Sequence, residues 1–141
     1  MNLPLPKGAG DAEFAALFEA VVEPAVDRFE PQMILVSAGF DAHEADPLGA
    51  LRCTAAGFAE LAQRTRRLAD RHTEGRLVLN LEGGYAPAAL GDCVTACLAA
   101  MAASNTAKER ALAPTASALS TSVQALCEAA RAQFGLCAEG L

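Results

Sequence analysis

Two short apolar runs, Met33-Ile34-Leu35-Val36 and Leu77-Val78-Leu79, separated by a stretch of helical periodicity, constrain this chain more than any other feature. Runs of that length, preceded by proline or glycine and rich in branched residues, read as buried strands. A strand, a helix and a second strand in that order close through a right-handed crossover, so the two strands are expected to lie parallel. Parallel sheets are ordinarily covered on both faces and contain several strands, whereas two strands alone leave their edges unpaired. The expected class is therefore α/β, a three-layer α-β-α arrangement with only part of a parallel sheet.

Helical segments surround the strands. Gly8 to Gly10 form a turn, and Asp11 is placed to cap a helix from Ala12 to about Phe29, with Phe14, Leu17, Phe18, Val21, Val22 and Val26 along its apolar stripe. Pro24 is expected to kink or split it, and Pro31 ends the helical stretch. Thr54 reads as the N-cap of a second helix reaching about His72. In that helix Phe58, Leu61, Leu68 and Ala69 face inward, Arg64, Arg66, Arg67 and Arg71 face water, and His72 is an exposed charge that suits the helix dipole. After the break at Gly75 and the second strand, a helix from about Pro87 to Ala103 offers Ala88, Leu90, Val94 and Leu98 to the sheet. Residues 104–116 read as an irregular connection, and a last helix spans about Ala116 to Phe134 with Val123, Leu126 and Ala130 on its apolar face.

With 141 residues, 52% of them hydrophobic and 20% charged, the chain holds one domain with a real core. A formal charge of -6 and no cationic cluster larger than Arg64-Thr65-Arg66-Arg67 argue against a nucleic-acid partner. The five cysteines (Cys53, Cys93, Cys97, Cys127 and Cys137) form no CxxC pair, so neither a disulfide framework nor a thiolate zinc knuckle is expected. Cys93 and Cys97, four apart on the third helix, read as small buried hydrophobes. A reducing cytoplasm is the expected location. The opening residues lack the pattern of a signal peptide, and no apolar run reaches membrane-spanning length, so no membrane partner is expected.

Each strand runs straight into a loop that carries chemistry. The first is Ser37-Ala38-Gly39-Phe40-Asp41-Ala42-His43-Glu44-Ala45-Asp46-Pro47-Leu48-Gly49, the second Leu81-Glu82-Gly83-Gly84-Tyr85. In an open parallel sheet, loops leaving the carboxyl ends of strands are where ligands gather. Asp41, His43, Glu44 and Asp46 put four oxygen and imidazole donors within six residues, a density compatible either with a divalent metal or with a solvated loop in which Asp41 binds backbone amides. Gly83 and Gly84 allow close backbone approach and positive φ, which gives Tyr85 more significance than a lone packing tyrosine would have.

These two motifs, in this order, resemble the C-terminal part of the histone deacetylase superfamily, whose bacterial members include acetoin-utilisation proteins and acetylpolyamine amidohydrolases. Asn2-Leu3-Pro4-Leu5-Pro6 followed by Gly8-Ala9-Gly10-Asp11 also fits that pattern, so the resemblance covers residues 2–103, with 104–141 left as connection and terminal helix. It implies an arginase/deacetylase-type fold and a zinc-dependent hydrolase of carbon–nitrogen bonds other than peptide bonds, acting on an acetyl-lysine or an acetylated polyamine. By the same resemblance Asp46 is a zinc ligand and Tyr85 is the catalytic hydroxyl donor to the scissile carbonyl. Gly84 and Cys53 are implied as substrate-facing positions, although Cys53 also reads as an ordinary core thiol. Asp41 and His43 match positions that the family does not use as ligands, which makes Asp41 a loop-bracing residue.

The resemblance is incomplete. Members of the family use a tandem His-His pair and an Asp-x-His element, and the two histidines here, His43 and His72, lie in neither context. The expectation is a C-terminal portion that is inactive alone and whose Zn2+ needs further ligands from a missing N-terminal half. The alternatives are the partner half of a split deacetylase and a non-catalytic α/β interaction domain.

Overall fold

The computed structural model describes residues 1–103 and 119–136. Its order is α1 (Asp11–Leu17), a π-helical turn (Phe18–Val22), α2 (Glu23–Phe29), β1 (Ile34–Ala38), α3 (Ala55–His72), β2 (Leu77–Leu81), α4 (Pro87–Ala102) and α5 (Thr121–Gln133). The strands pair in parallel, from Ile34 opposite Leu77 to Ala38 opposite Leu81, which makes the molecule α/β with part of a parallel sheet. Both strands run two residues further toward their loops than the apolar runs indicate. Among the described residues no helix is long and apolar enough to cross a membrane. Cys137 and the expected start of the last helix lie outside the described residues.

The first helical stretch is continuous through Pro24, and a change of winding makes that possible. A proline has no N–H and its ring collides with the carbonyl four residues back. Just before it the helix widens, and the Glu23 N–H bonds the Phe18 carbonyl, five residues back rather than four. Asp11 does not cap this helix. Gly10 is the N-cap residue, and its N–H is held at 2.9 Å by the side chain of Glu13. The next helix starts as expected, with the Thr54 hydroxyl accepting the Gly57 N–H at 3.2 Å.

Side chains alternate along a strand. Val36, Ala38 and Leu79 line one cavity of about 400 Å³ together with Phe14 of α1, Phe58 of α3 and Cys97 of α4, so these helices cover one face. On the opposite face Leu35 and Val78, paired across the ladder, are 71% and 48% exposed. Among the described residues no helix buries that second face. The core falls into two clusters. One joins Leu17 and Val21 to Val123, Cys127 and Ala130 of α5, and the other joins Phe40, Cys53, Phe58, Cys93 and Cys97 between α3, α4 and the first loop.

Three surface assignments change in the folded molecule. Arg64, expected in water, is only 5% exposed, because the π turn and the start of α2 cross over it and present Glu19 and Glu23. His72 is partly buried and bonds the Asp27 carboxylate at 2.7 Å rather than standing free at the helix end. In α4 the buried stripe runs through Cys93 and Cys97, with Leu90 and Val94 packed beside it, while Ala88 and Leu98 face outward because α4 lies chiefly against α3.

Candidate functional site

The parallel ladder does not stop at the strand ends. Glu82 N–H bonds the Ala38 carbonyl at 3.1 Å, and Phe40 N–H bonds the Gly83 carbonyl at 2.8 Å. These bonds carry the pairing into both loops and lay them side by side. Phe40 is buried and stacks at a tilt on Phe58 of α3, ring centroids 5.0 Å apart, which anchors the first loop to the core. Beyond Phe40 the chain turns through His43 and Asp46, with His43 N–H on the Phe40 carbonyl at 3.1 Å and Asp46 N–H on the His43 carbonyl at 2.9 Å.

Asp46 is the centre of this arrangement. Its Oδ1 accepts the N–H groups of Leu48 at 2.8 Å and Gly49 at 3.1 Å, which fixes the turn locally. Its Oδ2 accepts the Tyr85 N–H at 2.7 Å and so ties the first loop to the second. The Tyr85 amide, and after it those of Leu48 and Gly49, hold the Asp46 carboxyl below its ordinary pKa against the opposing effect of burial. A carboxylate offers about four lone-pair directions, so three backbone bonds leave one on Oδ2 for another partner. Tyr85 itself is 56% exposed.

The neighbouring glycines are required by geometry. Gly84 sits at φ +131°, and a Cβ there would stand 3.2 Å from Cβ of Phe40 and 3.1 Å from Cδ1 of Leu90. Gly83 faces the Asp41 carboxylate so closely that a Cβ would lie 2.8 Å from its Oδ2. Asp41 thus fills the space between Gly39 and Gly83. His43 accepts the Ala45 N–H on Nδ1 at 3.1 Å. Although Asp41, His43, Glu44 and Asp46 crowd together in sequence, no group of three His, Cys, Asp or Glu side chains among the described residues converges on a metal position.

Cys53 has no exposed surface and packs with Phe58, Cys93 and Cys97. Its position is that of a core thiol, since a side chain sealed from solvent has no face to offer a substrate. Burial pushes the Cys53 thiol up to about 12 and the Cys97 thiol up to about 11. We expect both to resist iodoacetamide at pH 8 in the folded protein and to react once it is unfolded in urea, read by mass spectrometry of the peptides. Labelling of Cys53 at the unfolded rate would instead place it on an accessible wall.

The fold and the site together define a class: a parallel α/β unit with a charged carboxylate and a half-exposed tyrosine joined at the carboxyl ends of its strands. Residues 1–101 match the model of the histone deacetylase domain. A probable deacetylase of Archaeoglobus fulgidus is 46% identical over 85 residues, 60% of this chain and 24% of that protein. A histone deacetylase-like amidohydrolase of Pseudomonas aeruginosa is 39% identical over 93 residues, 66% of this chain and 24% of that protein. Among solved structures, the crystal structure of the HDA15 HD domain superposes with a TM-score of 0.74 at 27% identity, over 95% of this chain and 34% of that one. The chain belongs to the histone deacetylase domain family, and it spans about a quarter of the length of these two curated relatives.

Proposed function

We propose that this chain forms the Asp46–Tyr85 side of a zinc-dependent deacetylase site that hydrolyses an N-acetyl amide, either of acetyl-lysine or of an acetylated polyamine. The observation that carries the reading is the 2.7 Å bond from the Tyr85 amide to Oδ2 of Asp46, which holds a metal-competent carboxylate against the backbone that bears the half-exposed Tyr85 side chain. Asp46 fits the part of one ligand, being ionised and retaining a free lone pair. Among the described residues no three His, Cys, Asp or Glu side chains converge on a metal position, and a catalytic zinc site takes three protein ligands and an open position. The rest of the site is therefore assigned to polypeptide outside the described residues.

When bound, zinc would polarise the acetyl carbonyl and acidify a water. The part played by this chain's own residues is simpler. Asp46 offers a charged oxygen whose direction is fixed by three amides, and Tyr85 donates its hydroxyl proton in a hydrogen bond to the carbonyl oxygen as negative charge develops there. Gly84 lets the second loop pack against Phe40 and Leu90 just before Tyr85.

The open face of Leu35 and Val78 favours a second, compatible reading in which further polypeptide of the domain covers this face and completes the sheet. Co-expression with the N-terminal portion of a related deacetylase domain, bearing the His-His and Asp-x-His elements, tests both. The expected result is a stable complex that deacetylates an acetyl-lysine peptide or N-acetylputrescine and loses activity to a chelator, while neither half is active alone. A well-formed complex without deacetylase activity would leave the non-catalytic interaction domain as the better description.

A further inference from the structure

We infer that Asp11 is a positioning residue for the Asp46–Tyr85 pair, acting through Thr54. The inference rests on the reading of that pair as the working site, but its physical content is a chain of contacts within the fold. The turn that carries Asp46 has an outgoing leg, residues 40–44, and a return leg, residues 50–54. The two legs are tied by Cys53 N–H to the Ala42 carbonyl at 3.0 Å and Glu44 N–H to the Cys53 carbonyl at 2.9 Å. On its other side the return leg pairs with residues 8–10, where Gly8 N–H bonds the Ala50 carbonyl and Arg52 N–H bonds the Ala9 carbonyl, each at 2.8 Å. The return leg is thus the middle of three backbone segments, bridged in parallel from Gly10 to Arg52 and from His43 to Cys53.

This ladder ends at Thr54, where the chain must swing into α3. There a side chain takes over from the backbone. Asp11 Oδ1 accepts the Thr54 N–H at 2.8 Å, and Oδ2 accepts the Thr54 hydroxyl at 2.6 Å. One glycine makes room for the bridge to Arg52 and another for the Asp11 carboxylate. A Cβ on Gly10 would lie 2.9 Å from the Arg52 carbonyl oxygen, and a Cβ on Gly57 would overlap the Asp11 carboxylate itself. The route from Asp11 to the site is then short, because Thr54 adjoins Cys53, Cys53 bridges His43, and the His43 carbonyl receives the Asp46 N–H.

A carboxylate at the start of α3 would also act as a plain helix cap, and that role has a different reach. Losing a cap frays the first turn of α3 and stops there. Losing a positioning residue frees the return leg and loosens the amide bonds that fix Asp46, and a misplacement of about 1 Å at a catalytic group can cost about 10²-fold in rate.

Residue-level amide hydrogen exchange on the chain as it stands separates the two, using the near-isosteric variants Asp11→Asn and Thr54→Val. We expect the Gly57 amide to exchange faster in both. The amides of Tyr85 and Leu48 should accelerate by about tenfold, consistent with loss of a charge-assisted hydrogen bond, while Cys97 in the middle of α4 keeps its rate. Faster exchange at Gly57 with Tyr85 and Leu48 unchanged would reduce Asp11 to a helix cap and overturn the inference, as would unchanged exchange at all three. If Asp11→Asn fails to fold, Thr54→Val decides on the same amides, since it keeps both the carboxylate and the Thr54 N–H. Exchange needs no substrate, so a failure of the deacetylase reading would register in turnover and leave this outcome standing.

Discussion

Replacing Tyr85 by Phe in an assembled deacetylase domain containing this chain is expected to lower kcat by about 10²- to 10³-fold, roughly 3 kcal/mol of barrier, with KM nearly unchanged. The expectation follows from where the hydroxyl acts. It meets the carbonyl oxygen most strongly once charge has developed, so its loss falls on the transition state rather than on substrate binding. The substitution is also clean in structural terms. What Tyr85 gives Asp46 is its backbone N–H, at 2.7 Å, and phenylalanine keeps that donor. The carboxylate should therefore stay ionised and oriented in the variant. Turnover equal to the parent's would remove the phenol from the chemistry while leaving the amide in its structural role.

Arg64→Ala is expected to cost about 2–3 kcal/mol of folding stability, read as a lower urea midpoint with an unchanged slope. The guanidinium reaches Glu23 at 2.8 Å through Nη1, Glu60 at 3.0 Å through Nε and Glu19 at 3.6 Å through Nη2, and it is 5% exposed. Burial alone would lower the Arg64 pKa, but hydrogen bonds to Glu23 and Glu60 outweigh it and hold the group above its ordinary value. Without it three carboxylates from α3, the π turn and α2 face one another with no cation between them. The loss should fall short of the 3–5 kcal/mol of a fully buried pair, because the carboxylates themselves still reach water, Glu19 being 49% exposed. Arg64→Lys should recover only part of it, since one ammonium does not replace a planar fork that addresses three acceptors. Added salt should narrow the gap between parent and Ala variant by screening the repulsion. A loss below about 0.5 kcal/mol would rank the cluster with ordinary surface pairs.

Much of the fold was legible because it is written in short-range pattern. The apolar runs at 33–36 and 77–79 located both strands, the helical spacing from Thr54 located α3 to within a residue, and Pro24 marked the place where the first helix changes its winding. The two strand-end motifs located the candidate site, since a parallel sheet sends both loops to the same edge. Local pattern was less informative about which polar side chains would be buried. Arg64 looked like one of four arginines on a wet face, and nothing within a turn or two of it distinguishes it from Arg66. Its partner Glu23 is 41 residues away.

The same division holds at the site. Residue types and spacing determined that a carboxylate, two glycines and a tyrosine would follow the strands, and that strand, helix and strand would close in parallel. Only the tertiary structure decided that Asp46 is joined to Tyr85 across 39 residues, that Thr54 is held by Asp11 across 43, and that Cys53 is sealed in the core. The reason is physical. Periodicity and turn chemistry report the conformation of a few neighbouring residues, whereas a hydrogen bond between loops, or the burial of a charge, exists only after distant elements have crossed and closed off the water between them.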